Sequence, residues 1–174
     1  MSSNNILTIN QIIQSENEFI KKNPSKNIMD VAAKKIWINL SKIIKKERTL
    51  FITGPGKNGK DGKKVYEIAK KNNFNVKLLD LSKKKTISDI EQSGKQFQDL
   101  LNCSSCIIDA IFGIGINRNV KGIYKKVILR VNSSNKFIIS IDLPSGINAD
   151  SGMIKGKAIN SKLTLCMGFY KPAH

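Results

Sequence analysis

The 174-residue sequence is short of several residue types, and each shortage removes a class of function. Aromatics make up 6% of the chain, with a single tryptophan, so there is little on which unpaired bases could stack. Of the 30 basic residues only Arg48, Arg118 and Arg130 are arginine, and readers of bases and phosphates lean on the guanidinium fork. One histidine, His174, and three cysteines are poor material for zinc: Cys103, Cys106 and Cys166 with His174 match no ligand spacing. The pair in CSSC precedes an apolar run, CIIDAIFG, and not a helix whose dipole would lower a thiol pKa, so reduced, partly buried thiols are expected instead of a redox centre. No apolar run approaches the ~20 residues of a membrane-spanning helix, and MSSNNILTINQ lacks the basic-then-apolar layout of a signal peptide. These absences lead us to expect a soluble, cytoplasmic protein with no membrane partner.

What is present describes a globular chain. Hydrophobic residues make up 40% and charged residues 25%, so disorder is not the default, and the length suits one domain over 1–174 with a sizeable core. The formal net charge of +17 invites a nucleic-acid reading. The lysines are spread along the whole chain, however, and the shortage of arginine and aromatics argues against it; faster capture of an anionic substrate is the simpler consequence.

Periodicity divides the chain at residue 48. From Thr8, a candidate N-cap, INQIIQSENEFIKK has apolar residues at helical spacing, and Pro24 closes it. A second helix is expected in NIMDVAAKKIWINLSKIIKK, with Trp37 broadening its apolar face as a core or dimer contact. This helical segment spans 8–46. Over 49–174, short apolar runs at about 49–53, 75–79, 105–111, 136–141 and 162–168 alternate with helical stretches near 61–72, 86–101 and 121–132. That alternation predicts an α/β fold: a three-layer α/β/α Rossmann-like sandwich with a mainly parallel central sheet and two N-terminal helices. Ligands of such sheets gather at the carboxyl ends of the strands.

The first strand runs into GPGKNGKDG, residues 54–62. Gly54, Gly56 and Gly59 satisfy the dinucleotide fingerprint, and Asp80 ends the next apolar run about 20 residues on. The same letters give G-x-x-x-x-G-K, but Asp61 stands where a phosphate loop needs Ser or Thr, which argues against a nucleoside triphosphatase. A glycine turn at a helix N-terminus still suits a pyrophosphate; a tight turn needing small residues is the plainer alternative.

Other strand ends also carry polar residues. IDAIFGIGI holds Asp109 in an apolar run with Gly113 and Gly115 beyond, IDLPSG brings Asp142 and Ser145, and MGFYKPAH brings Lys171. An amide, a carboxylate and a hydroxyl (Asn58, Asp109, Ser145) are hard oxygen donors for an alkali or alkaline-earth cation. Asp142 and Lys171 are left as candidate general base and acid.

Taken in order, GPGKNGKDG, IDAIFGIGI, IDLPSG and KPA resemble the NAD(P)HX epimerases, the YjeF N-terminal domain family, over about residues 8–174. The resemblance implies epimerisation of the R and S forms of hydrated NADH and NADPH (NADHX, NADPHX). It implies a potassium ion in each subunit at Asn58, Asp109 and Ser145. Substrate contacts would come from Lys57, Asn58, Gly59, Lys60 and Asp61, from Gly113, Ile114, Gly115, Ile116, Asn117, Arg118 and Asn119, and from Asp142, with Asp142 and Lys171 catalytic. The two N-terminal amphipathic helices and Trp37 suggest a homodimer, and the resemblance implies a functional partner, an ADP/ATP-dependent NAD(P)HX dehydratase. Relatives usually continue beyond the lysine motif by a strand or two or into a dehydratase domain, so the sequence reads as a product truncated at the C-terminus or as the N-terminal part of a bifunctional enzyme. The family loop G-N-N-G-G-D-G is altered here by Lys57 and Lys60. The rival readings are a Rossmann dehydrogenase, for which a catalytic His or Tyr and a substrate domain are missing, and a non-catalytic nucleotide- or RNA-binding scaffold of the same fold.

Overall fold

Thr8 opens the first helix as expected: its hydroxyl accepts from Gln11 N–H while Gln11 Oε1 accepts from Thr8 N–H at 2.9 Å, a reciprocal cap. The computed structural model describes residues 6–24, 27–44, 48–83 and 94–174. Its elements are α1 (Ile9–Lys22), α2 (Ile28–Leu40), β1 (Thr49–Thr53), α3 (Lys57–Lys71), β2 (Val76–Asp80), a 3-10 turn (Leu81–Lys83), α4 (Gly94–Asn102), β3 (Cys106–Ala110), α5 (Gly122–Asn132), β4 (Phe137–Ile141) and β5 (Leu163–Leu165). The sheet is parallel throughout, in the order β2-β1-β3-β4-β5.

Side-chain alternation along the strands sends successive residues to opposite faces. Leu50, Ile52, Ile107 and Ile138 pack with Phe97 and Leu101 of α4 and Val127 and Val131 of α5. On the other face Phe51, Ile108, Ile139 and Ile141 pack with Ala33, Ile36 and Leu40 of α2 and Val65 and Ala69 of α3. The three-layer sandwich is therefore the observed architecture. Trp37 sets its ring edge-on to Phe74, with centroids 4.8 Å apart, and packs against this second core.

Several boundaries differ from the sequence reading. The second helix stops at Leu40 and continues only as turns to residue 44. The expected helix at 86–101 is seen as α4 from Gly94; residues 84–93 lie outside the described ones. The last strand is three residues long, and Cys166 to Lys171 leave the sheet. Most consequential, α3 starts at Lys57, about four residues earlier than the apolar period suggested. Periodicity could not find that start, because its first turns are glycine and polar residues.

Candidate functional site

The chain leaves β1 to one side for β2 and returns to the other side at β3, so β1 and β3 form the switch point where an open α/β sheet has its crevice. Gly54 follows β1, and its N–H bonds to Ala110 O at 3.1 Å across that crevice. A Cβ on Gly54 would lie 2.0 Å from Ile111 O, and one on Gly59 would lie 1.9 Å from Gly54 O. The fingerprint glycines thus let α3 press against the strand ends. Gly56 is the one with open space around it; it caps α3, and no side chain satisfies the helix's first N–H groups. The backbone arrangement suited to an anion is that helix end and not a loop over 54–62.

Asp109 lies in β3 opposite Ser140 of β4 and is fully buried. Its Oδ1 accepts from Ser145 Oγ at 2.6 Å and Ile111 N–H at 3.2 Å; Oδ2 accepts from Ser140 Oγ at 2.8 Å and Ser145 N–H at 2.9 Å. Burial raises its pKa, and these four bonds oppose the rise. Ser145 Oγ in turn accepts from Phe112 N–H at 2.9 Å, while Asn58 Nδ2 donates to Phe112 O at 2.8 Å and to Ile141 O at 3.2 Å. Both amide protons of Asn58 are committed to carbonyls, which fixes its orientation. Its Oδ1 is buried and has no hydrogen-bond partner among the described residues. A buried acceptor without a donor fits a cation, so the hard oxygen set passes that test at Asn58. Among the described residues no three His, Cys, Asp or Glu side chains converge as a transition metal would require.

Asp142, at the end of β4, has φ of +71°, the left-handed region that L residues enter at a cost. Its carboxylate forms a buried ion pair with Lys171 Nζ, which also donates to Met167 O at 2.8 Å. Met167 N–H adds a bond to Asp142 Oδ1 at 3.3 Å. A Cβ on Gly113 would sit 3.1 Å from Asn58 Cβ and 3.3 Å from Asp142 Oδ2; glycine there lets the two side chains share one end of the crevice. Asp61 reaches the same space from α3. Burial first, then repulsion from Asp142 and Glu16, pushes its pKa up to about 6 against weaker relief from Lys64 and Lys57. Its Oδ1 is buried without a hydrogen-bond partner among the described residues.

Several of these residues border an open cleft of about 1090 Å³, somewhat larger than a drug-sized pocket, whereas Asp109, Ser145 and Lys171 are buried and do not line it. Lys57, Asn58, Asp61, Asp142 and the whole stretch Gly113, Ile114, Gly115, Ile116, Asn117, Arg118 and Asn119 line it. Gly59 and Lys60 do not: Gly59 is packed beneath Gly54, and Lys60 is exposed to solvent. Nor is Asp80 free for a ribose. Burial favours its protonated form, but Lys63, 2.6 Å away, and Ser82 outweigh this and hold its carboxyl below the usual range. Cys106 is buried in β3 with its thiol pushed up to about 12 by burial, which makes it a poor nucleophile; Cys103 is exposed.

Several residues escaped the sequence reading. Ser140 was hidden in the apolar run of β4. Ile13 and Glu16 line the cleft from α1, Glu16 lying 3.6 Å from Lys57. The helix is placed there by Ile9 N–H, which bonds to Asp150 Oδ1 at 2.8 Å across 141 residues of sequence. No local signal announces such a contact. His174, set aside as a zinc ligand, bonds to backbone atoms of both Lys171 and Asp142.

Residues 25–173 match the family model described as "YjeF-related protein N-terminus". The chain is 33% identical, over 71% of its length, to a protein of Limosilactobacillus fermentum named NAD(P)H-hydrate epimerase, of which it covers 65%. It is 35% identical, again over 71% of its length, to a Synechocystis protein named Bifunctional NAD(P)H-hydrate repair enzyme Nnr, covering 25% of that longer chain. The crystal structure of the yeast protein ynu0 (YNL200c) superposes on 97% of this chain and 82% of its own with a TM-score of 0.78 at 18% identity, a likeness of fold.

Proposed function

Because the chain belongs to the family of YjeF-related protein N-termini, we propose that it is an isomerase that interconverts the R and S forms of hydrated NADH and NADPH in nicotinamide nucleotide repair. The observation that carries this reading is the meeting of Asp61 and Asp142 at one end of the cleft, Asp142 paired with the buried Lys171, beside an uncapped helix N-terminus. The helix end receives the pyrophosphate, with Lys57 and Arg118 adding charge at the rim. The damaged ring then meets the carboxyl groups.

The carbon to be inverted bears a ring nitrogen and a hydroxyl. A neutral Asp61 gives its proton to the hydroxyl, which leaves as water while the nitrogen lone pair completes a C=N bond. Water adds to the other face, the C=N electrons return to nitrogen, and Asp142 takes the released proton. The proton passed from Asp61 to Asp142 is restored through solvent, and no net oxidation occurs. Lys171 holds the Asp142 carboxylate in place through their ion pair, so its role is to position the base. A potassium ion would be held by Asn58, with Asp109 and Ser145 next to it, and would supply fixed positive charge close to the substrate's anionic groups. The same reading assigns a homodimer, a cytoplasmic setting and an ADP/ATP-dependent dehydratase as functional partner, which the fused Synechocystis relative favours.

The deciding assay supplies mixed R and S NADHX, an S-specific dehydratase and this protein, with and without potassium. Consumption of the R form well above its spontaneous epimerisation is the expected result; no acceleration by folded protein would discard the reading in favour of a binding role.

Asp61 yields a second prediction with two readouts. In Asp61→Asn the acid is lost and the epimerisation rate falls by ~10²-fold. Its stability moves the other way. The folded pKa of about 6 lies above the ordinary 3.8, so ionisation of Asp61 costs the native state nothing below pH 3.8, increasingly through the window up to 6, and a constant amount above it. Thermal unfolding of ligand-free protein in potassium-free buffer is expected to show Asp61→Asn more stable than wild type at pH 7.5 and equal to it below pH 3.8. Equal midpoints at both pH values would show that Asp61 pays no burial penalty.

A further inference from the structure

His174 makes two hydrogen bonds whose chemistry leaves no choice of tautomer. Nδ1 lies 3.0 Å from Lys171 N, an N–H that can only donate. Nε2 lies 2.9 Å from Asp142 O, a carbonyl that can only accept. These partners match the tautomer with a proton on Nε2 and a bare Nδ1. It clasps the backbones of the two residues whose side chains form the buried ion pair, 29 positions apart in sequence. Tyr170 sets its ring edge-on against the imidazole, with centroids 5.6 Å apart.

That clasp falls where the backbone needs support. Asp142 is one of three described non-glycine residues with positive φ, and it is the one in the cleft. A residue persists in the left-handed region only when its surroundings over-determine it. The supports here are Asp142 N–H to Leu165 O at 2.8 Å, Met167 N–H and Lys171 Nζ on the carboxylate, and His174 on the carbonyl. Of these, the imidazole alone grips both members of the pair through their main chains.

We infer that His174 is a positioning residue for the epimerisation proposed above: its imidazole bridges the Asp142 carbonyl and the Lys171 N–H, fixing the turn that points the Asp142 carboxylate at Lys171 and into the cleft. It touches no reacting atom. Its effect is geometric, and small errors in placing a catalytic group cost rate more than binding.

The test combines kinetics and NMR on the full chain. His174→Ala and His174→Phe are expected to lower kcat about tenfold with KM for NADHX changed less than twofold. His174→Gln, whose amide has a donor and an acceptor at similar separation, is expected to recover most of kcat. Phenylalanine fills the space without the bonds, so it separates bridging from packing. Because the chain has one histidine, 15N labelling of histidine reads the tautomer without assignment: a single Nε2–H form is expected, and the Lys171 Nζ resonance should shift in His174→Phe. Rates for the Ala and Phe variants within twofold of wild type, or an imidazole exchanging freely between tautomers, would overturn the inference. Should wild type show no epimerisation, the functional reading falls on its own. The clasp is then decided by NMR: a fixed tautomer with a shifted Lys171 supports it, and an unchanged Lys171 rejects it.

Discussion

Asp142→Asn is expected to lower the epimerisation rate by ~10²-fold or more, the usual loss when a general acid–base group is removed. Asparagine is the informative substitution because it tolerates the left-handed backbone that Asp142 adopts, whereas alanine would add strain. The loss of charge has a second effect. Lys171 is 2% exposed and its ammonium would be left without its counter-charge, a situation that costs ~3–5 kcal/mol in buried pairs. Asp142→Asn should therefore be less stable as well as slow. The double variant Asp142→Asn with Lys171→Met removes both charges; it is expected to regain most of the stability and none of the activity. Near-normal turnover by folded Asp142→Asn would take this residue out of the chemistry. Stability without turnover in the double variant would show that the ion pair serves reaction more than fold.

Substitution at Asp109 should act mainly on the fold. Each of its carboxylate oxygens accepts one backbone N–H, from Ile111 on Oδ1 and from Ser145 on Oδ2. Whichever way an asparagine is turned, its amide nitrogen faces a backbone donor. A buried donor left without an acceptor costs ~1–3 kcal/mol, and a repelling NH2 removes at least one such bond. Against a total stability of ~5–15 kcal/mol this is a large fraction. Asp109→Asn is expected to unfold ~5–10 °C below wild type, at ~2–4 °C per kcal/mol for a chain of this size. Asp109→Ala, which strands all four donors, should go further and fail to yield soluble folded protein. Thermal unfolding followed by circular dichroism decides it; a midpoint for Asp109→Asn within 2 °C of wild type would mean that the four bonds contribute little.

The architecture was legible because it rests on local patterning. Five apolar runs alternating with helical stretches can hardly form anything but a sheet covered on both faces, and the observed strands fall on those runs, β2 ending one residue beyond its run at Asp80. The polar residues were legible for a related reason: Asp109, Asp142 and Ser145 interrupt or end apolar runs, where a side chain must find a partner or a ligand. The start of α3 was not legible. Asn58, Gly59 and Asp61 look like loop residues by propensity, and they become helical because Gly59 and Gly62 let the helix settle onto Gly54 and Ala110, at separations that a Cβ would close to 1.9 and 2.4 Å. Asp80 shows the converse. It satisfied the spacing of a ribose ligand, yet Lys63 and Ser82 occupy its carboxylate.

By itself, the sequence determined the layer structure, the strand ends at which chemistry gathers and the residue types found there, because periodicity and backbone preference act over a few neighbours. Only the tertiary structure decided what each polar group is free to do. Among the described residues, Asn58 Oδ1 and Asp61 Oδ1 are left unpartnered, Asp109 is saturated, Asp142 is locked to Lys171, and His174 ties that pair together. Those assignments depend on desolvation and on contacts between residues tens of positions apart. Such contacts exist only once the core has closed around them.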